Sequence, residues 1–263
     1  MDYTYFIAIG LLAGLLQGLF SGGGLLMVPA LVYLQSYLNM TPSNIAHVSI
    51  ATSLACITVS GAAIAFFNHQ KEAIRWDYFG KMVVGVIFGA LVGAFFASSV
   101  SGKVLLYVIA LHALAGGIYI LYTKQKTEDD IHNPILDHVV AVAAGFISAL
   151  AGIAGATVLV PYFLHKGIDV VHSLATSIAL GVIITGIAAV NYGIWGSMSR
   201  NMPDDFFGFI WLPAVGVISA SSIVSGYLGT RFIHGKAKYY MRKAFGLFAL
   251  LMSFLVAFKI FGM

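Results

Sequence analysis

Gly14-Leu-Leu-Gln-Gly-Leu-Phe-Ser-Gly22-Gly-Gly24, leading to Val28-Pro29, returns later in the chain as Gly145-Phe-Ile-Ser-Ala-Leu-Ala-Gly152-Ile-Ala-Gly155, leading to Val160-Pro161. The repeat continues in order. Ala51-Thr52-Ser53 returns as Ala175-Thr176-Ser177, Asp77-Tyr-Phe-Gly80 as Asp205-Phe-Phe-Gly208, and Gly102-Lys103 as Gly235-Lys236. The offset is 132 from Pro29 to Pro161, 124 from Thr52 to Thr176, 128 from Asp77 to Asp205 and 133 from Lys103 to Lys236, each close to half of the 263 residues. Chance does not keep such an order. Internal duplication on this scale is a recurrent sign of transporters, whose binding site lies where the two halves meet.

Composition places the chain in a bilayer. Charged residues are 9% of it and apolar ones 60%, with a mean hydropathy of +0.93, where a soluble domain has roughly 25% charged residues. Apolar stretches run from about 4 to 38, 45 to 67, 78 to 99, 104 to 123, 138 to 164, 173 to 197, 206 to 230 and 239 to 261, and a crossing takes about 20 residues. All ten acidic residues stand between these stretches or at their ends. The expected organisation is a first membrane repeat over 1–123, a polar linker over 124–137 and a second repeat over 138–263. Asp2, with no Lys or Arg before the first apolar run, argues against a cleaved signal peptide. The formal charge of +4 is scattered over membrane-flanking loops and forms no nucleic-acid motif. The single Cys56 supplies neither a disulfide nor a thiolate metal site, and no cofactor is expected.

The stretches 4–38 and 138–164 are interrupted by Gly22-Gly23-Gly24 and by Gly152 and Gly155. Each passes straight through once, or folds back as a hairpin with both ends on one face. Single passage splits the basic residues seven against seven. Hairpins put eleven on one face and leave only Lys103, Arg200 and Lys259 on the other, and the positive-inside bias selects that arrangement. The expectation is an all-α polytopic membrane protein of two inverted repeats, each a glycine-broken helical hairpin plus three transmembrane helices. It places the linker in the cytoplasm and both termini outside the cell's inner membrane. A re-entrant hairpin and two short crossings share the same parity, so both stay open.

Broken helices at membrane depth must be covered by protein or line a polar cavity. The second arm of each hairpin begins just after the glycines, which directs its free N–H groups and positive end toward the protein centre, a ready anion site. Gly22, Gly23, Gly24 and Gly155 allow close backbone approach. Ser21 and Thr157 flank the tips, Gln17 and Ser148 lie on the first arms, and Thr52, Ser53, Thr176 and Ser177 stand near the start of the next helix in each half. These twelve are the candidate substrate-binding residues, with hydrogen bonding within their own helices as the other reading for the hydroxyls. His47, His112 and His172 are candidates for proton coupling, against interfacial placement or interhelical hydrogen bonding. Asn68 and Asn191 pair across the repeat and read as helix caps. Gly85, Gly89 and Gly93, at four-residue spacing, read as a packing stripe.

On the glycine-and-Val28-Pro29 segment, Ala51-Thr52-Ser53 and their second copies, the chain resembles the sulfite exporter TauE/SafE family of membrane permeases over essentially its whole length. The resemblance implies a bacterial-type inner-membrane transporter of sulfite or short organosulfonates, commonly in the export direction. The second copy departs from it in carrying fewer glycines, which weights the first tip. The function expected is a secondary transporter of a small sulfur-containing anion, with the lipid bilayer and that anion as its partners. A passive anion channel and a membrane-embedded lipid phosphatase are the alternatives, and the sequence fixes no oligomeric state.

Overall fold

The computed structural model describes residues 3–37, 42–122, 134–198, 203–231 and 237–261. The first half contributes α1 (Thr4–Phe20), α2 (Gly23–Tyr37), α3 (Pro42–Gln70), α4 (Trp76–Ser99) and α5 (Gly102–Tyr122). The second contributes α6 (Pro134–Ala151), α7 (Ala156–His165), α8 (Val170–Ser197), α9 (Leu212–Arg231) and α10 (Ala237–Phe261). A short antiparallel ribbon, β1 (Phe206–Phe207) and β2 (Ile210–Trp211), precedes α9.

Among the described residues, α3, α4, α5, α6, α8 and α9 are long and apolar enough to cross a bilayer. The protein is thus a helical polytopic membrane protein, in which every spanning segment satisfies its own backbone. Pro42 and Pro134 open α3 and α6, where the missing proline N–H costs nothing.

Two boundaries differ from the sequence reading. Helix α6 begins at Pro134, so the linker expected over 124–137 gives its last four residues to a helix; its residues 124–133 lie outside the described ones. The second difference is the ribbon. Asp77-Tyr-Phe-Gly80 lies in the first turn of α4, whereas its copy Asp205-Phe-Phe-Gly208 turns through the ribbon with Gly208 at φ +58°. A Cβ on Gly208 would lie 2.0 Å from the Gly193 carbonyl oxygen, so a close approach to α8 has replaced a helix start.

Packing repeats when α1–α5 are exchanged for α6–α10. Helix α1 packs on α9 as α6 packs on α4, α3 on α9 as α8 on α4, α2 on α10 as α7 on α5, and α2 on α3 as α7 on α8. Each hairpin's first arm is therefore held by the fourth helix of the other half. Small residues make that approach possible. A Cβ on Gly10, Gly14 or Gly18 would meet Ile218, Ser222 or Gly226 in turn, and one on Gly85, Gly89 or Gly93 would meet Ala141, Val142 or Phe146. The rising order on both sides makes these pairs parallel.

The equivalent helices that meet each other run antiparallel. Thr58 of α3 hydrogen-bonds Thr185 of α8 at 2.9 Å, while Gly61 faces Val182. In α5 and α10, Ser253 Oγ donates to Ala110 O at 2.8 Å, while Gly117 faces Gly246 and Leu250.

The basic residues also gather as the hairpin arrangement requires. Lys71 donates to Thr230, the neighbour of Arg231, and Lys81 and Lys166 both act on Asp137. Single passage would have separated Lys166 and Arg231 from Lys71 and Lys81 by the whole bilayer.

Candidate functional site

The chain reverses between α1 and α2 at Ser21, φ +57°, and between α6 and α7 at Gly152 and Gly155, φ +71° and +77°. Ser21 and Gly152 occupy the same place in the repeat. The left-handed conformation there, which glycine adopts without penalty and serine at a cost of roughly 1–2 kcal/mol, is carried in the first copy by the serine. Gly22, Gly23 and Gly24 do other work. A Cβ on Gly23 would sit 2.8 Å from Ala13 O, within its own hairpin. One on Gly24 would sit 2.7 Å from Gly152 O and 2.9 Å from Ile153 Cα. The two tips therefore touch backbone to backbone at Gly24 and Gly152, and Val28 and Ile50 close over Gly152.

Around this contact the polar side chains divide. Ser53 Oγ donates to Gly152 O at 3.0 Å, joining α3 to the tip of the other half. Gln17 is buried, its Nε2 donating to Ile57 O at 3.3 Å and its Oε1 accepting from Ser60 Oγ at 2.7 Å. Ser21, Ser148 and Ser177 are buried with hydroxyls that have no hydrogen-bond partner among the described residues. Such groups call for a ligand, a water or a second conformation to satisfy them. Thr157, in the first turn of α7, is hydrogen-bonded to His112 Nε2 of α5.

Thr52 and Thr176 do not face the tips. Thr52 Oγ1 accepts the Trp211 N–H at 3.1 Å, and Thr176 Oγ1 accepts the Arg75 N–H at 2.9 Å. Trp211 and Arg75 each immediately precede the fourth helix of the other repeat, whose first N–H groups have no intrahelical acceptor. The duplicated threonines are reciprocal caps.

The histidines also separate. His47, near the start of α3, is enclosed against the end of α4, its Nε2 3.3 Å from Ala97 O and its ring 5.2 Å from that of Phe209. His172 is held by Asp169, whose other oxygen accepts from Val171 N and His172 N and caps α8. Partial burial works against that carboxylate's charge, but the hydrogen bonds from His172 prevail and hold its pKa below the usual aspartate range. Asn191 is not a cap: it lies within α8 and its Nδ2 donates to Ile187 O at 2.9 Å.

Reading the sequence missed one buried charge pair. Lys166 Nζ lies 3.2 Å from Asp137 Oδ1, both side chains at most 4% exposed, and Tyr162 OH donates to the same oxygen. The pair ties the start of α6 to the end of α7 and closes the base of the second hairpin. By sequence Asp137 falls in the expected linker. Only the early start of α6 could have flagged it.

A cleft of about 120 Å³ opens where α1, α3, α8 and α9 meet, lined by Gly18, Asn68, Lys71, His172, Ile178 and Thr230 among others. Gly18 lies one turn before Ser21, so the cleft leads toward the first tip. Exchange of the repeats carries Gly18, Ala175 and Ile178 to Ala149, Ala51 and Leu54. That counterpart is packed: all three are fully buried in one core with Ile50 and Tyr192, and Phe209 lies against it. Tyr192 OH closes it by donating to Ala149 O at 3.4 Å.

The sequence pattern of the family described as sulfite exporter TauE/SafE matches residues 6–256. The chain is similar to a probable membrane transporter protein of Haemophilus influenzae, 27% identical over 94% of this chain and 95% of that one. It is similar to another of Methanocaldococcus jannaschii, 25% identical over 86% and 84%. A third, YunE of Bacillus subtilis, is 30% identical over 44% of this chain and 40% of its own. No solved structure matches the chain. With its duplicated halves and membrane-spanning helices, the chain is a membrane transporter that belongs to the sulfite exporter TauE/SafE family.

Proposed function

We propose that the protein is a secondary transporter, working as an exporter, of a small sulfur-containing anion such as sulfite or a short organosulfonate. It works by alternating access around the two hairpin tips. The observation that carries this is the one-sided opening among the described residues: a cleft comes within one helical turn of the first tip from one end of the bundle, while the equivalent route from the other end is filled by Ala51, Leu54, Ala149, Tyr192 and Phe209. Antiparallel crossing of α3 with α8 and of α5 with α10 supports inverted repeats, since inversion turns equivalent helices against each other. Inverted halves interconvert two such states by exchanging roles.

In this reading the organisation is a repeat over 1–123, a cytoplasmic linker over 124–137 and a repeat over 138–263, with both termini outside the inner membrane. The anion is held by neutral donors, Ser21, Ser148 and Ser177 with the tip amides of Gly23, Gly24 and Gly155; the Gly22 N–H instead donates to Leu16 O at 3.4 Å and closes the end of α1. Ser53 and Gln17 fix the tips. In the state described the tips touch, so the site opens by their separation. His112, bonded to Thr157 at the second tip, is the favoured proton-coupling residue.

A passive channel needs a continuous path, which the packed counterpart interrupts. A phosphatase needs convergent acid–base groups; here Asp137 with Lys166, and Asp169 with His172, form separate pairs that hold helix ends. The test is flux from proteoliposomes across sulfite and a series of sulfonates, with and without a pH gradient. Saturable sulfite or sulfonate flux supports the reading, and folded protein that moves none of them overturns it.

A further inference from the structure

The tips offer an anion no cation, and an apolar surround makes entry of an unpaired charge costly. The cleft differs. Lys71, at the end of α3, lines it and points its ammonium at Thr230 Oγ1, 3.3 Å away. Thr230 donates its own hydroxyl hydrogen to Tyr227 O at 2.8 Å, so it accepts from Lys71 and fixes the ammonium's place. An ammonium has three N–H donors, and this contact uses one. Asn68, 7% exposed, lines the same wall, and its carboxamide makes no side-chain hydrogen bond among the described residues. A side-chain amide brings two more N–H donors.

The other walls set the limits. The amides at the start of α8 are taken by Asp169, and His172 is bound to the same carboxylate. Glu72, beside Lys71, is exposed. An anion therefore sits on the Lys71 and Asn68 side. A volume of about 120 Å³ is well above the roughly 10–15 Å³ that a single water requires, so the cleft has room for a small oxyanion.

We infer that this cleft is a capture site for a small oxyanion, distinct from the tips, in which Lys71 supplies the charge, Asn68 supplies neutral donors and Thr230 positions Lys71. The site is one-sided. Under exchange of the repeats, at the offset of 124 that relates Thr52 to Thr176, Lys71 falls on Trp195 and Asn68 on Tyr192, whose hydroxyl donates to Ala149 O at 3.4 Å. Anion is thus concentrated at one mouth of the carrier and not at the other, giving the two faces unequal KM. The inference rests on the reading of the chain as an anion carrier.

The experiment measures sulfite flux from each face of oriented proteoliposomes holding the full chain, together with calorimetric binding of sulfite to the same protein in detergent. Lys71→Met is expected to raise KM about tenfold at the cleft face, the loss of one charge-assisted hydrogen bond, and to leave KM at the opposite face within twofold. Asn68→Ala is expected to act in the same direction, and Lys71→Arg to restore KM. The binding constant should weaken with KM, and wild-type binding should weaken with added sodium chloride. Equal changes at both faces, or no change in binding, overturn the capture site. Lys71-dependent binding without flux from either face overturns the transport reading and leaves the site standing. A Lys71→Met protein that fails to fold is replaced by Lys71→Gln, judged by the same two readouts.

Discussion

Ser53 and Gly152 are 99 residues apart in the chain, yet the serine hydroxyl donates to the glycine carbonyl at 3.0 Å. That bond fastens the third helix of the first repeat to the reversal of the second. The carbonyl it holds also faces Gly24 of the opposite tip. Movement of either tip must therefore be felt by the other half, which is the coupling an alternating-access carrier requires.

Gly24→Ala places a methyl 2.7 Å from Gly152 O. Overpacking of this kind costs about 1–3 kcal/mol, and it is expected to lower the melting temperature in detergent and to reduce sulfite flux at least tenfold. Ser21→Gly is the contrast. It relieves a left-handed serine, so the melting temperature should hold or rise while flux falls, because a hydroxyl at the tip is lost. Unchanged flux in Ser21→Gly would remove Ser21 from the binding set.

Thr52→Val and Thr176→Val keep shape and delete an acceptor. Each leaves one backbone N–H, of Trp211 or of Arg75, without its cap, at about 1–3 kcal/mol. The expected result is a similar drop in thermal stability for both variants, with KM for sulfite unchanged in the protein that remains folded. A specific rise in KM would return the threonines to the substrate site.

Asp137→Asn and Lys166→Met each strand a buried partner and are expected to cost about 3–5 kcal/mol, whereas the double replacement Asp137→Leu with Lys166→Met should recover most of it. A double-mutant cycle on detergent melting curves measures the coupling. Additive losses would mean that the two groups do not act as a pair.

The Asp169 carboxyl, held below its usual range, stabilises the start of α8 in its ionised form. A group whose folded pKa is depressed contributes stability above its unfolded pKa, and that contribution fades as pH falls through the lowered value. Stability is therefore expected to be flat from neutral pH down to the ordinary aspartate range and to decline below it. In Asp169→Asn, which keeps a capping oxygen, that part of the decline should disappear from melting curves taken across the acid range.

Orientation is tested through cysteine chemistry, because Cys56 is buried. In a Cys56→Ser background, Glu72→Cys should react with an impermeant maleimide only from the cytoplasmic side and Ser101→Cys only from outside. The reverse pattern would invert the assignment.

The sequence by itself determined the membrane class, the duplication and the hairpin at each glycine break, because these depend on composition, order and charge sums that need no contacts. Gln17, Ser53 and Ser148 were legible as buried polar residues near the tips, since a polar residue in an apolar helix has few other places to go. Other roles were decided only by tertiary structure. Thr52 and Thr176 became caps because the fourth helix of the opposite repeat starts against them, a neighbour that no local pattern reveals. Asp137 found Lys166, and Lys71 found Thr230, through helix ends brought together from distant segments. The open cleft and its packed counterpart depend on how two similar halves settle into unequal positions. A repeat records that the halves correspond; at which end of the seam between them the cleft lies is fixed by the contacts they make with each other.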